Sequence, residues 1–413
     1  MRSRKTEFEP KEVWQDVLLG DDRYFQLATG GTPSTERQEY WEEGTVPWLS
    51  SGEVHKKIIR FADGRITEEG FHHSNARFYP THSILIALAG QGKTRGTAAI
   101  TEIEVTSNQS IAAVIPNKEL VEPYFVYYYL DSLYQELRSI SAGAGRAGLN
   151  LSILAKVPIR LPNKPIQERI AAVLLCIDRG IEHTKAVIAK QRQIKTGLTH
   201  DLLTKGIDEN GNIRSETTHE FKDSALGRIP KDWDVDRLEN FAVLQRGFDL
   251  PVQNRKEGHV PVYGSNGVNG YHNISMIKAP GVVTGRSGSI GNIFVVDVDF
   301  WPLNTTLYVR DFHDNHPKFV ALVLEYLGLE RFAAATGVPS LNRNFVHPIP
   351  VRVPQPEEQE GILEHVDAVL ASERNQRRSL TKLKSIKQGL MQDLLTGEVS
   401  VESLLAETTS VSA

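Results

Sequence analysis

Cysteine is almost absent. The 413-residue chain holds one, Cys176, which excludes a disulfide framework and a four-cysteine zinc site and fits a reducing, cytoplasmic compartment. No stretch reaches the ~18 uninterrupted apolar residues of a membrane span, and the basic start, Met1 to Lys5, has no apolar core behind it as a secretory signal would. Surplus positive charge is missing too: 47 Lys+Arg against 51 Asp+Glu leaves a net −4, so a nucleic-acid surface has to be a local patch. Adenine methylation would need an Asn/Asp-Pro-Pro-aromatic motif, and none occurs. No carboxylate or cysteine cluster completes the pair His72-His73 as a metal site. Cys176 falls in a helix-like stretch without a charge partner to activate it and reads as a packing residue, not a nucleophile. What remains is ordinary, 40% hydrophobic and 24% charged, in a chain too long for one core of ~100–200 residues. Two or more domains are expected.

The chain is written twice. Residues 157–204 align without a gap on 349–396, an offset of 192. Pro158, Arg160 and Pro162 fall on Pro350, Arg352 and Pro354, Gln167-Glu168 on Gln359-Glu360, and Asp201 to Thr204 on Asp393 to Thr396. The register reaches back to Leu149-Asn150 and Leu341-Asn342. Further upstream the match is fainter. Val46-Pro47 answers Val260-Pro261, the glycine-rich stretch Gly90 to Gly96 answers Gly285 to Gly291, Asn108-Gln-Ser110 answers Asn304-Thr-Thr306, and Pro123 to Val126 answers Pro317 to Val320. The order is globular unit, long helix, globular unit, long helix. The helices are near copies, whereas the globular units have diverged.

Both copies carry a seven-residue repeat. Ile170, Leu174, Ile177, Ile181, Thr184, Ile188, Gln191, Lys195, Leu198 and Leu202 are spaced 4,3,4,3, as are Ile362, Val366, Val369, Glu373, Gln376, Leu380, Leu383, Lys387, Leu390 and Leu394. That period keeps one stripe facing a partner helix and predicts a coiled-coil seam, with two separately buried amphipathic helices as the alternative. Pro165 and Pro356 suit helix starts, and Gly206 and Gly397 suit helix stops. About 40 residues at 1.5 Å each make a rod of roughly 60 Å. If the pseudo-dyad of a duplicated chain crosses the rod, the helices run antiparallel and hold two readers over separated half-sites.

With that organisation the chain resembles the specificity subunit of a type I restriction-modification system over nearly its whole length. The segment Phe221 to Val235, containing Gly-Arg-Ile-Pro-Lys-Asp-Trp233, is similar to the opening of a target recognition domain in that family. Gln167 to Ile170 with Asp201 to Gly206 resembles its central conserved region, and Gln359 to Ile362 with Asp393 to Gly397 its distal one. Gly30-Gly-Thr-Pro33 and Val46-Pro-Trp-Leu49 are similar to motifs of the first recognition domain. The second departs from them with Gly247-Phe-Asp and Val260-Pro-Val-Tyr. The resemblance implies an α+β fold of two α/β target recognition domains separated by two long helices in an antiparallel coiled coil. Its boundaries are 1–163 and 208–355 for the recognition domains, 164–207 and 356–401 for the central and distal helices, and 402–413 for a flexible tail. It further implies a non-catalytic subunit that reads a bipartite site on double-stranded DNA. Two modification subunits and the restriction subunits would dock on it. S-adenosylmethionine, ATP and magnesium would be bound by those partners, not by this chain.

One motif points elsewhere. Ala87 to Thr94 is one residue from a P-loop, but β-rich sequence broken by Gly96 follows it instead of a helix, and the second copy has no lysine. A glycine loop carrying cations suits backbone approaching DNA, or else a tight turn with solvated charges. Residue type and domain nominate Lys56, Lys57, Arg77, Gln91, Lys93 and Arg95 in the first domain. Arg246, Arg255, Asn266, Arg286, Ser287 and Ser289 are nominated in the second. Arginine, asparagine and glutamine pair with base edges, and lysine holds phosphate. The rival readings are an enzyme, against which the missing motifs count, and a coiled-coil scaffold without DNA recognition.

Overall fold

The computed structural model describes residues 14–90, 92–140, 148–334 and 339–402. The chain divides into two compact units, Met1–Lys185 with Ser379–Ala413, and Ala186–Arg378, so each long helix contributes one half to each unit.

In the first unit five strands pair in the order Phe25–Thr29, Ile111–Pro116, Ile84–Ala87, Ala98–Thr101, Ile58–Ile59, antiparallel except for the last pair. Ile84–Ala87 is buried at every position. Ile84 and Ile86 face the cluster of helix Pro123–Ser132, and Leu85 and Ala87 face a second one with Leu49, Val54 and Tyr79. A strand covered on both faces reads as an unbroken apolar run. Three further strands, Gly64–Ile66, Val46–Leu49 and Thr106–Ser107, form a second sheet, and Gln15–Leu18 pairs with Pro158–Leu161.

The second unit repeats the plan with one strand fewer. Its main sheet runs Val243–Arg246, Thr306–Asp311, Gly281–Gly285, Ile293–Val296. Gly267–His272, Val260–Gly264 and Trp301–Pro302 form the small sheet, with its parallel pair in the same place as in the first unit. Asp234–Arg237 pairs with Pro350–Val353, and helix Pro317–Leu327 covers the core. The duplication therefore extends through globular units whose sequences have diverged.

The long helices are Lys164–Lys205 and Pro356–Thr396, each about 60 Å at 1.5 Å per residue. None of the twenty seam positions is exposed. In the first unit Lys387 bonds Asp178, and Leu383 lies against Gly180. In the second, Gln191 donates to Ser372, and Ile207, just past the first helix, lies against Gly361. As the residue number rises on one helix its partner's falls, so the pair is antiparallel. One polar seam position is fully engaged: Lys387 Nζ lies 2.7 and 2.8 Å from the Asp178 oxygens, and Asp178 also accepts the Tyr128 hydroxyl at 2.7 Å. Burial, and after it that bond to Asp178, pushes the Tyr128 hydroxyl far above its ordinary range. A satisfied polar group in an apolar seam penalises every other register. Cys176, expected to pack, is instead exposed, because it lies off the seam stripe.

Two features shared by the repeats are structural clamps. Gln167 accepts from the Glu122 backbone N–H at 2.9 Å and donates to the Pro162 carbonyl at 2.8 Å. Gln359 repeats this with His316 at 2.9 Å and Pro354 at 3.1 Å, and adds Asn315 at 2.7 Å. Both glutamines are buried and tie the start of a long helix to the start of the covering helix. Replacing Gln359 with leucine strands these buried partners, and we expect about 1–3 kcal/mol of destabilisation, read as a lowered unfolding midpoint. The helix-ending glycines form the other pair. Gly206 and Gly397 have φ of +67° and +75°, and a Cβ there would meet Trp233 at 2.5 Å and Trp14 at 2.8 Å. Only glycine combines the left-handed stop with that close approach.

Candidate nucleic-acid interface

The glycine-rich loops are hairpin connections. Residues 88–97 join the antiparallel strands Ile84–Ala87 and Ala98–Thr101, and residues 286–292 join Gly281–Gly285 and Ile293–Val296. A strand follows each loop, so the helix N-terminus that gives a P-loop its phosphate site does not follow. The first loop is held from outside: Arg138 donates to the Gly92 carbonyl at 2.6 Å and the Tyr134 hydroxyl to the Lys93 carbonyl at 3.0 Å. In the second, Arg286 N–H bonds the Thr305 carbonyl at 2.8 Å, and Leu341 N–H bonds the Arg286 carbonyl at 2.7 Å.

The motifs near these loops are packing solutions. A Cβ on Gly30 would overlap the Ser107 carbonyl, and the Trp48 indole donates to the Gly31 carbonyl at 3.0 Å. Thr32 donates to Gln109 at 2.7 Å, tying Gly-Gly-Thr-Pro to Asn-Gln-Ser. In the second unit Gly247 keeps the close approach, to Leu303, but Phe248 replaces the second glycine and stacks on Tyr308 with centroids 5.9 Å apart. The aromatic group comes from that position itself, and Val262 stands where Trp48 does.

The nominated residues separate into three groups. Lys56 is held 2.9 Å from both Glu53 and Asp63, and Lys57 lies 2.5 Å from Asp131, so both are committed to carboxylates. Arg255 is likewise engaged, with the Asn269 carbonyl. Exposed or half-buried on the loops are Arg77, Lys93 and Arg95 in the first unit, and Arg246, Arg286, Ser287 and Ser289 in the second. Asn266 is exposed at the tip of the hairpin Val260–Gly264 and Gly267–His272. Its neighbour Ser265 lies against Gly285 and Gly288, so this tip and the glycine loop form one surface. Gln91 lies outside the described residues, as does the tail from 403 onwards. Arg246 and Arg286 line one cavity together with Arg310 and Arg343, which the sequence reading did not nominate. Arg310 follows four buried residues near the end of a strand and Arg343 follows the helix cap Asn342, and neither position carries a local signal of binding.

The family model of the type I restriction modification DNA specificity domain matches residues 11–191 and 230–385, one block per repeat. The chain belongs to this family. It is a type I restriction-modification specificity subunit with two DNA-specificity domains, each matched block including most of its long helix. It is 29% identical over 230 residues to the MjaIX specificity subunit of Methanocaldococcus jannaschii, covering 55% of this chain and 51% of that one. With the EcoR124I/EcoR124II specificity subunit of Escherichia coli it shares 29% over 148 residues, 35% of this chain and 36% of that one. The matches thus span about half and about a third of those relatives. With the MjaVIII specificity subunit of M. jannaschii it shares 23% over 427 aligned positions, 95% and 94% of the two chains. The S subunit of a type I system from M. genitalium superimposes with a TM-score of 0.59 at 18% identity, over 94% of this chain and 97% of that one, a likeness of fold. Among the described residues no helix is long and apolar enough to cross a membrane, and no group of His, Cys, Asp or Glu is placed to hold a metal ion.

Proposed function

We propose that this chain reads a bipartite site on double-stranded DNA, one half-site through each unit, and catalyses no reaction itself. In this reading its helices carry two copies of one modification subunit, which restriction subunits then join. S-adenosylmethionine, ATP and magnesium belong to those partners. The observation that carries the reading is where the duplication has been kept and where it has not. Each unit has a groove between a long helix and its covering helix. One is lined by Tyr129, Leu133, Lys387 and Met391, the other by Leu322, Tyr326, Lys195 and Thr199. Lys387 and Lys195 stand at matched repeat positions, as do Met391 and Thr199. Copied helices suit two identical partners. The loops have diverged, which suits two different half-sites. DNA is met by Arg77, Lys93 and Arg95 on one side and by Arg246, Asn266, Arg286, Ser287 and Ser289 on the other, with Arg77, Arg95 and Asn266 on base edges and Lys93 on phosphate.

Exchanging residues 208–348 for the corresponding segment of a relative is expected to change one half of the methylated motif and leave the other intact. Methylation-aware sequencing of cells carrying the hybrid with its modification subunits measures this. A change in both halves would refute the one-unit, one-half assignment.

A further inference from the structure

Four guanidinium groups line one cavity of the second unit. Arg246 ends the strand Val243–Arg246, Arg286 follows Gly281–Gly285, Arg310 lies on Thr306–Asp311, and Arg343 opens the helix Arg343–Val346. Sheet pairing gathers the first three, since their strands are neighbours. Gln245, Ser340 and Asn342 join them, and no carboxylate is among the lining residues. The arginines are only lightly engaged: Arg286 with the Asn304 carbonyl at 3.2 Å, Arg343 with the Leu244 carbonyl at 3.3 Å, Arg310 with Gln245 at 3.3 Å. Among the described residues only Arg246 faces an acid, Asp249 at 3.9 Å. Four like charges facing a single acid raise the local potential and draw an anion. Nearby His347 is held below its ordinary range, chiefly by burial and against the pull of Glu239, with Arg343 and Arg310 adding to the lowering.

Among the described residues, the matching positions of the first unit are uncharged. Thr29 ends the strand that matches the one ended by Arg246. The Leu88 carbonyl accepts from Leu149 as the Arg286 carbonyl accepts from Leu341, and Leu151 follows Asn150 as Arg343 follows Asn342. Strand Ile111–Pro116, which matches the strand of Arg310, carries no charged residue.

We propose that this pocket binds phosphate groups of the DNA backbone, so that the second unit supplies a larger electrostatic share of the grip than the first. The inference rests on the DNA-reading role proposed above. Phosphate fits better than a base edge, because a neutral edge offsets none of the converging charge, whereas one arginine fork suffices to read a guanine. The pocket then positions the duplex and does not choose its sequence.

The test is binding of the full chain to a random-sequence 40-base-pair duplex across a potassium chloride series. Each phosphate contact contributes about 0.9 to the slope of log affinity against log salt. Arg310→Gln/Arg343→Gln is expected to weaken binding and flatten the slope by about 1–2. Arg310→Lys/Arg343→Lys is expected to keep the slope, since a point charge serves a phosphate. Both side chains are exposed, so neither variant strains the fold. An unchanged slope in the glutamine variant overturns the proposal. So does a lysine variant as weak as the glutamine one, which would mark two-pronged reading of guanine. Tripolyphosphate binding the chain more tightly than the duplex at equal ionic strength would replace DNA by a free phosphate ester as the ligand. If the wild-type chain shows no salt-dependent duplex binding, the DNA-reading role itself fails. A binding wild type with an insensitive variant removes the pocket alone.

Discussion

Replacing Glu358 with alanine is expected to destabilise the second unit by about 3–5 kcal/mol, since it strands two buried donors, the Ile207 N–H and the Trp233 indole, at about 1–3 kcal/mol each, and leaves Arg214 with Asp232 alone, 3.1 Å away. The Glu358 carboxylate accepts from the Ile207 backbone N–H at 2.8 Å, from Arg214 at 2.8 Å and from the Trp233 indole at 2.7 Å. The Glu358 and Arg214 side chains are 9% and 13% exposed, so water cannot replace the lost bonds. One residue at the start of the second helix thus holds the end of the first, through Ile207, and the opening of the recognition domain, through Trp233. Scanning calorimetry of the full chain measures the loss. Glu358→Gln keeps an acceptor for Trp233 and Ile207 but not the charge for Arg214, and its cost should be intermediate. An alanine variant within about 0.5 kcal/mol of wild type, the usual range for surface substitutions, would show that the three bonds do not hold these segments.

Adding one heptad to each long helix, within 180–192 and 372–384, is expected to lengthen the preferred spacer between half-sites while leaving the half-site bases unchanged. Seven residues keep the seam in phase. Each helix grows by roughly 10 Å at 1.5 Å per residue, or about three base pairs at 3.4 Å each. No loop residue moves relative to its own sheet, so base preference persists. Activity collapses instead if the modification subunits cannot follow the longer rod. Two residues in place of seven would rotate Thr184, Ile188 and Gln191 out of the stripe and destabilise the pair. The motif methylated in cells carrying each variant is the readout. Full activity with the old spacer would show that the helices do not set the distance.

The sequence by itself determined the duplication, the seam, the helix ends and the family, because those signals are local and periodic. A 4,3 spacing places Ile362, Val366 and Val369 on one stripe whatever else the chain does, and proline and glycine mark helix ends through their own backbone limits. Only the tertiary structure decided which cations are free. Lys57 is committed to Asp131, which lies 74 residues away, and Lys56 to Glu53 and Asp63. It also decided that Arg310 and Arg343 belong with Arg246 and Arg286, since strand pairing and a short helix bring four distant segments to one cavity. Gln167 and Gln359 stand in repeated motifs that read from sequence as family signatures, and Glu358 precedes one of them without a counterpart in the other copy, yet the partners of all three are backbone groups and side chains across the fold. A local period writes itself into the chain, whereas a charge acquires its role from the neighbours that long-range pairing supplies.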